Sequence, residues 1–298
     1  MQFQRWIPRT ETSWSWRVFK KYNDELFKMY VTFCNSHKYT YKSLKENNAD
    51  WMDSPEQHFE FSYGWDKRRY NDLKDWSDSF NDLRNWINLN ALLSISSNLE
   101  TYIATTIPLA LESDIGILYG TPRRIDGIEI IKHRVNKNKS QFDEFVLACT
   151  KGDWNSRISS YKKIFGKVPE YFENKKNDLE KIRKIRNDIA HAFGRDIIDS
   201  RVIGRVNLTK ITNMSETQLR HFQDIVWRTV KDIDGHLYKN HIGDYESLLF
   251  YHNLYPELNS SVHPNNRAIQ FKKRIGQHGD VPPNKEYCKQ LVKYYEGI

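Results

Sequence analysis

Apolar residues recur three or four positions apart along most of the chain, the period of an amphipathic α-helix. From Asp66 onward Tyr70, Leu73, Trp76, Phe80, Leu83 and Ile87 keep that step, with charged residues between them. The pattern continues through Leu92, Leu93, Ile95, Leu99, Tyr102, Ile103 and Ile107. It predicts two helices, or one long kinked helix, with a disturbance at Pro108, which has no N–H to donate. Shorter stripes predict helices over 140–151 and 154–165, then a turn at Gly166-Lys167-Val168-Pro169. Ser215 with Gln218 three residues on has the form of a capping box. It opens a helix carried by Leu219, Phe222, Val226, Val230, Ile233 and Leu237. Further helices are predicted at 22–33 and 285–295. Segment 196–211 mixes apolar residues with turn formers, and reads as one or two short strands or as a loop pinned to its neighbours. The fold class is therefore mainly all-α, an antiparallel helical bundle over 66–240. An aromatic-rich extension (1–65) precedes it and a small basic C-terminal extension (241–298) follows, where Pro256, Pro264, Asn265 and Asn266 loosen the pattern.

Composition narrows the function classes. With 39% hydrophobic and 28% charged residues, the chain has a polar but foldable balance. No run approaches eighteen apolar residues, which predicts no membrane span. The opening M-Q-F-Q-R-W-I-P lacks a basic-then-apolar signal pattern, so a cytoplasmic location is expected. Cys34, Cys149 and Cys288 are widely spaced and odd in number, which fits ordinary thiols in a reducing compartment rather than a metal or disulfide framework. The formal charge of +8 suits nucleic acid or another anionic surface, and equally suits a basic soluble protein. Positive charge is densest around the 116–138 connector. There Arg123, Arg124, Lys132 and Arg134 are candidate RNA-backbone contacts, with a solvated loop as the alternative. Aromatics make up 14% of the chain, and those of the first 62 residues suit base stacking or, more commonly, packing. No Gly-rich phosphate loop, G-x-S-x-G elbow or H-E-x-x-H is present, so no cofactor or metal is expected. His236 and His241 lie near Asp232, Asp234 and Asp244 in sequence, but at no standard metal spacing; a solvated helix end is expected there.

The candidate chemistry lies in Glu180–Gly194, E-K-I-R-K-I-R-N-D-I-A-H-A-F-G. Ile182, Ile185 and Ile189 make one apolar stripe. At roughly 100° per residue, Asn187 and His191 lie about 200° round from Ile185 and Ile189, on the opposite face. The long stem of Arg186 brings its guanidinium within reach of both, and Gly194 supplies a helix stop. Histidine titrates near neutrality and serves as base or acid. Arginine stays charged and its fork matches phosphate oxygens. An arginine and a histidine on a polar face are also compatible with plain solvation or salt bridging.

Arg186-Asn187-Asp188-Ile189-Ala190-His191 resembles the R-N-x-x-x-H form of the R-x4–6-H motif of HEPN domains, and 90–112 resembles their long early helix. The resemblance covers roughly residues 85–240. It implies a metal-independent endoribonuclease of the toxin, phage-defence or RNA-processing kind. It implies a homodimer, with two motif helices facing each other to form a composite site, and products with 2′,3′-cyclic phosphate and 5′-hydroxyl ends. Arg186, Asn187 and His191 would be the catalytic residues, and Glu100 on the early helix would hold the arginine. Alternatively Glu100 is a plain surface residue. An antitoxin or other defence-system protein is a further expected partner. Some domains of this family are inactive, so a non-catalytic RNA- or protein-binding dimerisation module is the alternative.

Overall fold

The structure is a computed structural model that describes residues 2–133, 141–202, 209–258, 262–276 and 283–298. Among them are twelve α-helices: α1 (Trp14–Glu46), α2 (Leu73–Ser113), α3 (Gly127–His133), α4 (Asp143–Thr150), α5 (Trp154–Phe165), α6 (Glu170–Asn174), α7 (Lys176–Ala192), α8 (Ile197–Val202), α9 (Glu216–Leu237), α10 (Tyr245–Leu254), α11 (Pro264–Ile275) and α12 (Lys285–Gly297). The described residues contain no β-strand, so the chain is all-α, as its periodicity predicts. No helix among them is long and apolar enough to cross a membrane.

The helices form two compact units, each assembled from separated stretches. The first comprises Met1–Lys20, Leu99–Glu180 and Ile225–Ile298; the second comprises Lys21–Asn98 and Lys181–Asp224. Helices α1, α2, α7 and α9 contribute residues to both.

In the first unit the N-terminal segment is held by buried polar groups. Arg5 forms an ion pair with Asp126 (Nε–Oδ2 2.7 Å, Nη2–Oδ1 2.8 Å) and donates to the Ile242 carbonyl and the Ser113 hydroxyl. Tyr294 adds a third donor to Asp126. Such a pair persists in the interior because its remaining donors and lone pairs are satisfied. Ser13 caps α1 by accepting from the Trp16 N–H (3.1 Å), while its own N–H and hydroxyl both reach Asp234. The Trp14 N–H donates to both oxygens of buried Glu246 (3.1 and 3.0 Å). Gly243 has a positive φ of 56°, and a Cβ there would lie 2.4 Å from the Arg5 carbonyl oxygen. The segment and the start of α10 thus approach at backbone distance.

In the second unit α2 carries a fully buried stripe, Leu89, Leu92 and Ile95. Two asparagines one turn apart on α2 fasten the extended segment before α9. Asn85 donates to the Thr212 carbonyl (3.0 Å) and accepts from the Met214 N–H (2.8 Å). Asn88 donates to the Met214 carbonyl (2.7 Å) and accepts from the Tyr30 hydroxyl (2.9 Å). Ser215 then caps α9, accepting from the Gln218 N–H (3.1 Å), as the sequence signature predicts.

Several elements differ from the periodicity. Helix α1 is 33 residues long rather than twelve, because exposed Val18, Tyr22, Met29 and Tyr39 blur its apolar stripe. Helix α2 is one unbroken element with Pro108 inside it. Leu99, Tyr102, Ile103, Ile107, Ala110 and Leu111 are all buried on either side, and that burial outweighs one lost hydrogen bond. Segment 197–202 is a short helix, not a strand. The tail holds α10, α11 and α12, closed by a bidentate Arg267–Glu296 pair (2.8 Å for each bond), where the prolines and asparagines suggest only one helix. Pro264 opens α11 at its first position, where a missing N–H costs nothing.

Candidate functional site

Helix α7 presents the Arg186, Asn187 and His191 group. Ile182 and Ile189 are buried and Ile185 is half-buried, so the apolar stripe faces the interior. Arg186 and Asn187 are half-buried, and His191, in the last turn, is exposed. The Arg186 Nη1 donates to the Asn187 Oδ1 at 3.2 Å. Asn187 therefore orients the guanidinium, a use the sequence does not single out, since there it is assigned to the imidazole or a phosphate. His191 lies one turn further along the same face.

The end of the helix is also more constrained than a glycine stop. Phe193 takes a left-handed φ of 54° and Gly194 one of 77°. A Cβ on Gly194 would lie 2.9 Å from Leu89 Cδ1, the far end of a side chain, so it is the left-handed conformation that calls for glycine. The Gly194 N–H donates to the Asp188 carbonyl and its carbonyl accepts from the Thr212 N–H (2.7 Å). Arg195, which sequence reasoning passes over, donates from Nε to the Thr209 carbonyl (2.8 Å) and fixes the same segment. Its only sequence signal is a cation directly after the helix-stopping glycine.

The remaining candidates have other surroundings. Glu100 lies in the first unit, on α2, and forms an ion pair with buried Arg157 (Nη1–Oε1 3.1 Å), whose guanidinium lies 4.7 Å from the centre of the Trp154 ring. Arg186, Asn187 and His191 lie in the second unit. The expected RNA contacts lie in the first. Arg123 has an exposed side chain, but its Nε and Nη2 donate to the Asn240 and Lys239 carbonyls (2.8 and 2.7 Å). The half-buried Lys132 ammonium donates to the Tyr295 carbonyl (2.7 Å) and the Ile298 carbonyl (2.5 Å). Both cations thus complement the carbonyl ends of helical segments. Arg124 is exposed, and Arg134 lies outside the described residues.

His236 and His241 do not form a solvated helix end. His241 is buried with Nδ1 2.9 Å from Asp114 Oδ2. His236 is half-buried with Nδ1 2.8 Å from the Tyr161 hydroxyl, and burial pulls its pKa down to about 4. The helix carrying them continues into a turn packed in the interior, which the two histidines help to satisfy. Among the described residues no cluster of His, Cys, Asp or Glu has the make-up of a metal site. No family model, curated protein or solved structure matches the chain.

Proposed function

We propose that this chain is a metal-independent endoribonuclease of the HEPN type, acting as a homodimer through Arg186 and His191. The observation that carries the reading is the arrangement on α7. An Asn187-oriented guanidinium and an exposed imidazole share one polar helix face, backed by a buried stripe. Cleavage of RNA without a metal needs a base for the 2′-hydroxyl proton, a cation for the charge gathering on the phosphate, and an acid for the leaving 5′-oxygen. His191 of one copy takes the 2′-proton as the 2′-oxygen attacks phosphorus. The imidazolium of the second copy returns a proton to the departing 5′-oxygen, and each Arg186 steadies phosphate oxygens. The products carry a 2′,3′-cyclic phosphate and a 5′-hydroxyl. Asn187 acts as a positioning residue for Arg186, and Glu100 serves the fold through Arg157.

The test is cleavage of total tRNA and a long mRNA in EDTA, with oligomeric state followed by light scattering. His191→Ala is expected to lose activity by about 100-fold or more, the usual weight of general acid–base catalysis, while remaining dimeric. Arg186→Ala should behave likewise. A dimeric His191→Ala protein that cuts at the wild-type rate would overturn the assignment.

A further inference from the structure

The second unit contains a cleft of about 820 Å³, walled by α2, by α1 and by the 209–216 segment, whose residues enter no chemistry so far described. Its size falls in the range of small-molecule sites, and its lining divides about evenly between polar and apolar surface. Three cations face it, Arg84, Arg195 and Lys210, against two carboxylates, Asp82 and Glu216. Glu216 is already engaged by Arg220 (Oε1 to Nη2 2.7 Å and to Nε 2.9 Å). Arg84 and Lys210 are exposed, and neither makes a hydrogen bond or ion pair with the described residues. The cleft therefore presents two uncompensated cations beside a single uncommitted carboxylate.

The wall is rigid where it needs to be. Asn85 and Asn88 hold 212–214 to α2 through three hydrogen bonds, and the buried Asn88 amide also accepts from the Tyr30 hydroxyl of α1. Arg195 holds Thr209, and Gly194 at the end of the motif helix holds Thr212. The cleft is thus built from the same segment that terminates α7. Asn81 spends one N–H on the Ser77 carbonyl (3.0 Å) and lines the opening, where exposed Asn213 adds a second amide.

We propose that this cleft binds a ribonucleoside phosphate, its phosphate against Arg84 and Lys210 and its base edge against the Asn81 and Asn213 amides. Arginine supplies a fork for two phosphate oxygens and lysine a point charge. Primary amides pair with base edges that carry both a donor and an acceptor. The endoribonuclease reading identifies the ligand as one nucleotide of an RNA strand held beside the motif helix. A free mononucleotide offers the same chemistry, and binding itself does not depend on cleavage.

The experiment uses the full chain carrying His191→Ala, in EDTA, so that cleavage does not enter. Anisotropy of a labelled twelve-nucleotide single-stranded RNA is measured against salt, and calorimetry is run with AMP, CMP, GMP and UMP. Arg84→Ala and Lys210→Ala are each expected to weaken RNA binding by about tenfold or more, the weight of a charge-assisted hydrogen bond. Each should reduce the salt slope by about one. Lys42→Ala, an exposed lysine on α1 outside the cleft, should leave affinity within about twofold. Mononucleotide binding lost in the same two variants would assign the site to free nucleotide as well as to the strand. Unchanged RNA affinity in the Arg84→Ala/Lys210→Ala double variant, or an equal drop in Lys42→Ala, would overturn the proposal. Failure of His191→Ala to abolish cleavage bears only on the catalytic reading, because the mononucleotide titrations offer no strand to cut and still test the site.

Discussion

Replacing Glu246 with Gln should make the protein more stable at alkaline pH and remove one pH dependence. Burial pushes the Glu246 carboxyl up to about 8, against an ordinary value of 4.5; the nearby Asp234 charge adds to this, while the Trp14 N–H works the other way. Below pH 4.5 both folded and unfolded chains hold the proton, and the folded state keeps its full stability. Between 4.5 and 8 the unfolded chain releases the proton while the folded chain retains it, so stability falls by about 1.4 kcal/mol per pH unit. The shift of 8 − 4.5 pH units amounts to about 5 kcal/mol by pH 8. Glutamine keeps an oxygen for the Trp14 N–H and has no proton to lose. The assay is urea unfolding of wild type and Glu246→Gln from pH 4.5 to 8.5. The difference in unfolding free energy should move steadily in favour of the variant as pH rises. Asp244, raised to about 6 by burial, titrates in both proteins and cancels in the difference. A difference that stays flat across the range would refute the argument that Glu246 is held protonated by its surroundings.

Two structural predictions bear on the first unit. Asp126→Ala leaves the buried Arg5 guanidinium without its anion and should cost about 3–5 kcal/mol in chemical unfolding. Gly127→Ala would place a Cβ 1.5 Å from the Glu112 carbonyl oxygen, a backbone clash that no rotamer relieves. It should destabilise by about 3 kcal/mol or more, read as a lowered melting temperature.

The helical class was legible because a period of three to four survives wherever one face is buried. The Ser215 cap and the stripe of α9 are cases in which local signal and tertiary burial agree. Where they part, the sequence misleads. The stripe of α1 is diluted by exposed apolar residues, and Pro108 signals a break that the buried flanks of α2 override. The polar face of α7 was legible from spacing alone. The Arg186–Asn187 hydrogen bond was not, since adjacent residues give no periodic sign of mutual orientation. Lys132 and Arg123 read as free charge because their acceptors are carbonyls more than a hundred residues away.

The N-terminal strap has a consequence for how the chain is made. Phe3 bonds to Gln290, Arg5 to Ile242, Ser13 to Asp234 and Trp14 to Glu246, sequence separations of 221 to 287 residues. Closing loops of that length precedes any reward from the contacts they bring together. During synthesis Phe3, Ser13 and Trp14 find these partners only after α9, α10 and α12 have been translated, so the first turn of α1 waits for the Glu246 carboxyl long after Asp126 has become available to Arg5. Assembly of this unit is accordingly a late, all-at-once event. Its slow step should be visible as a lag between helix formation in circular dichroism and quenching of the Trp6 indole that Arg5 covers.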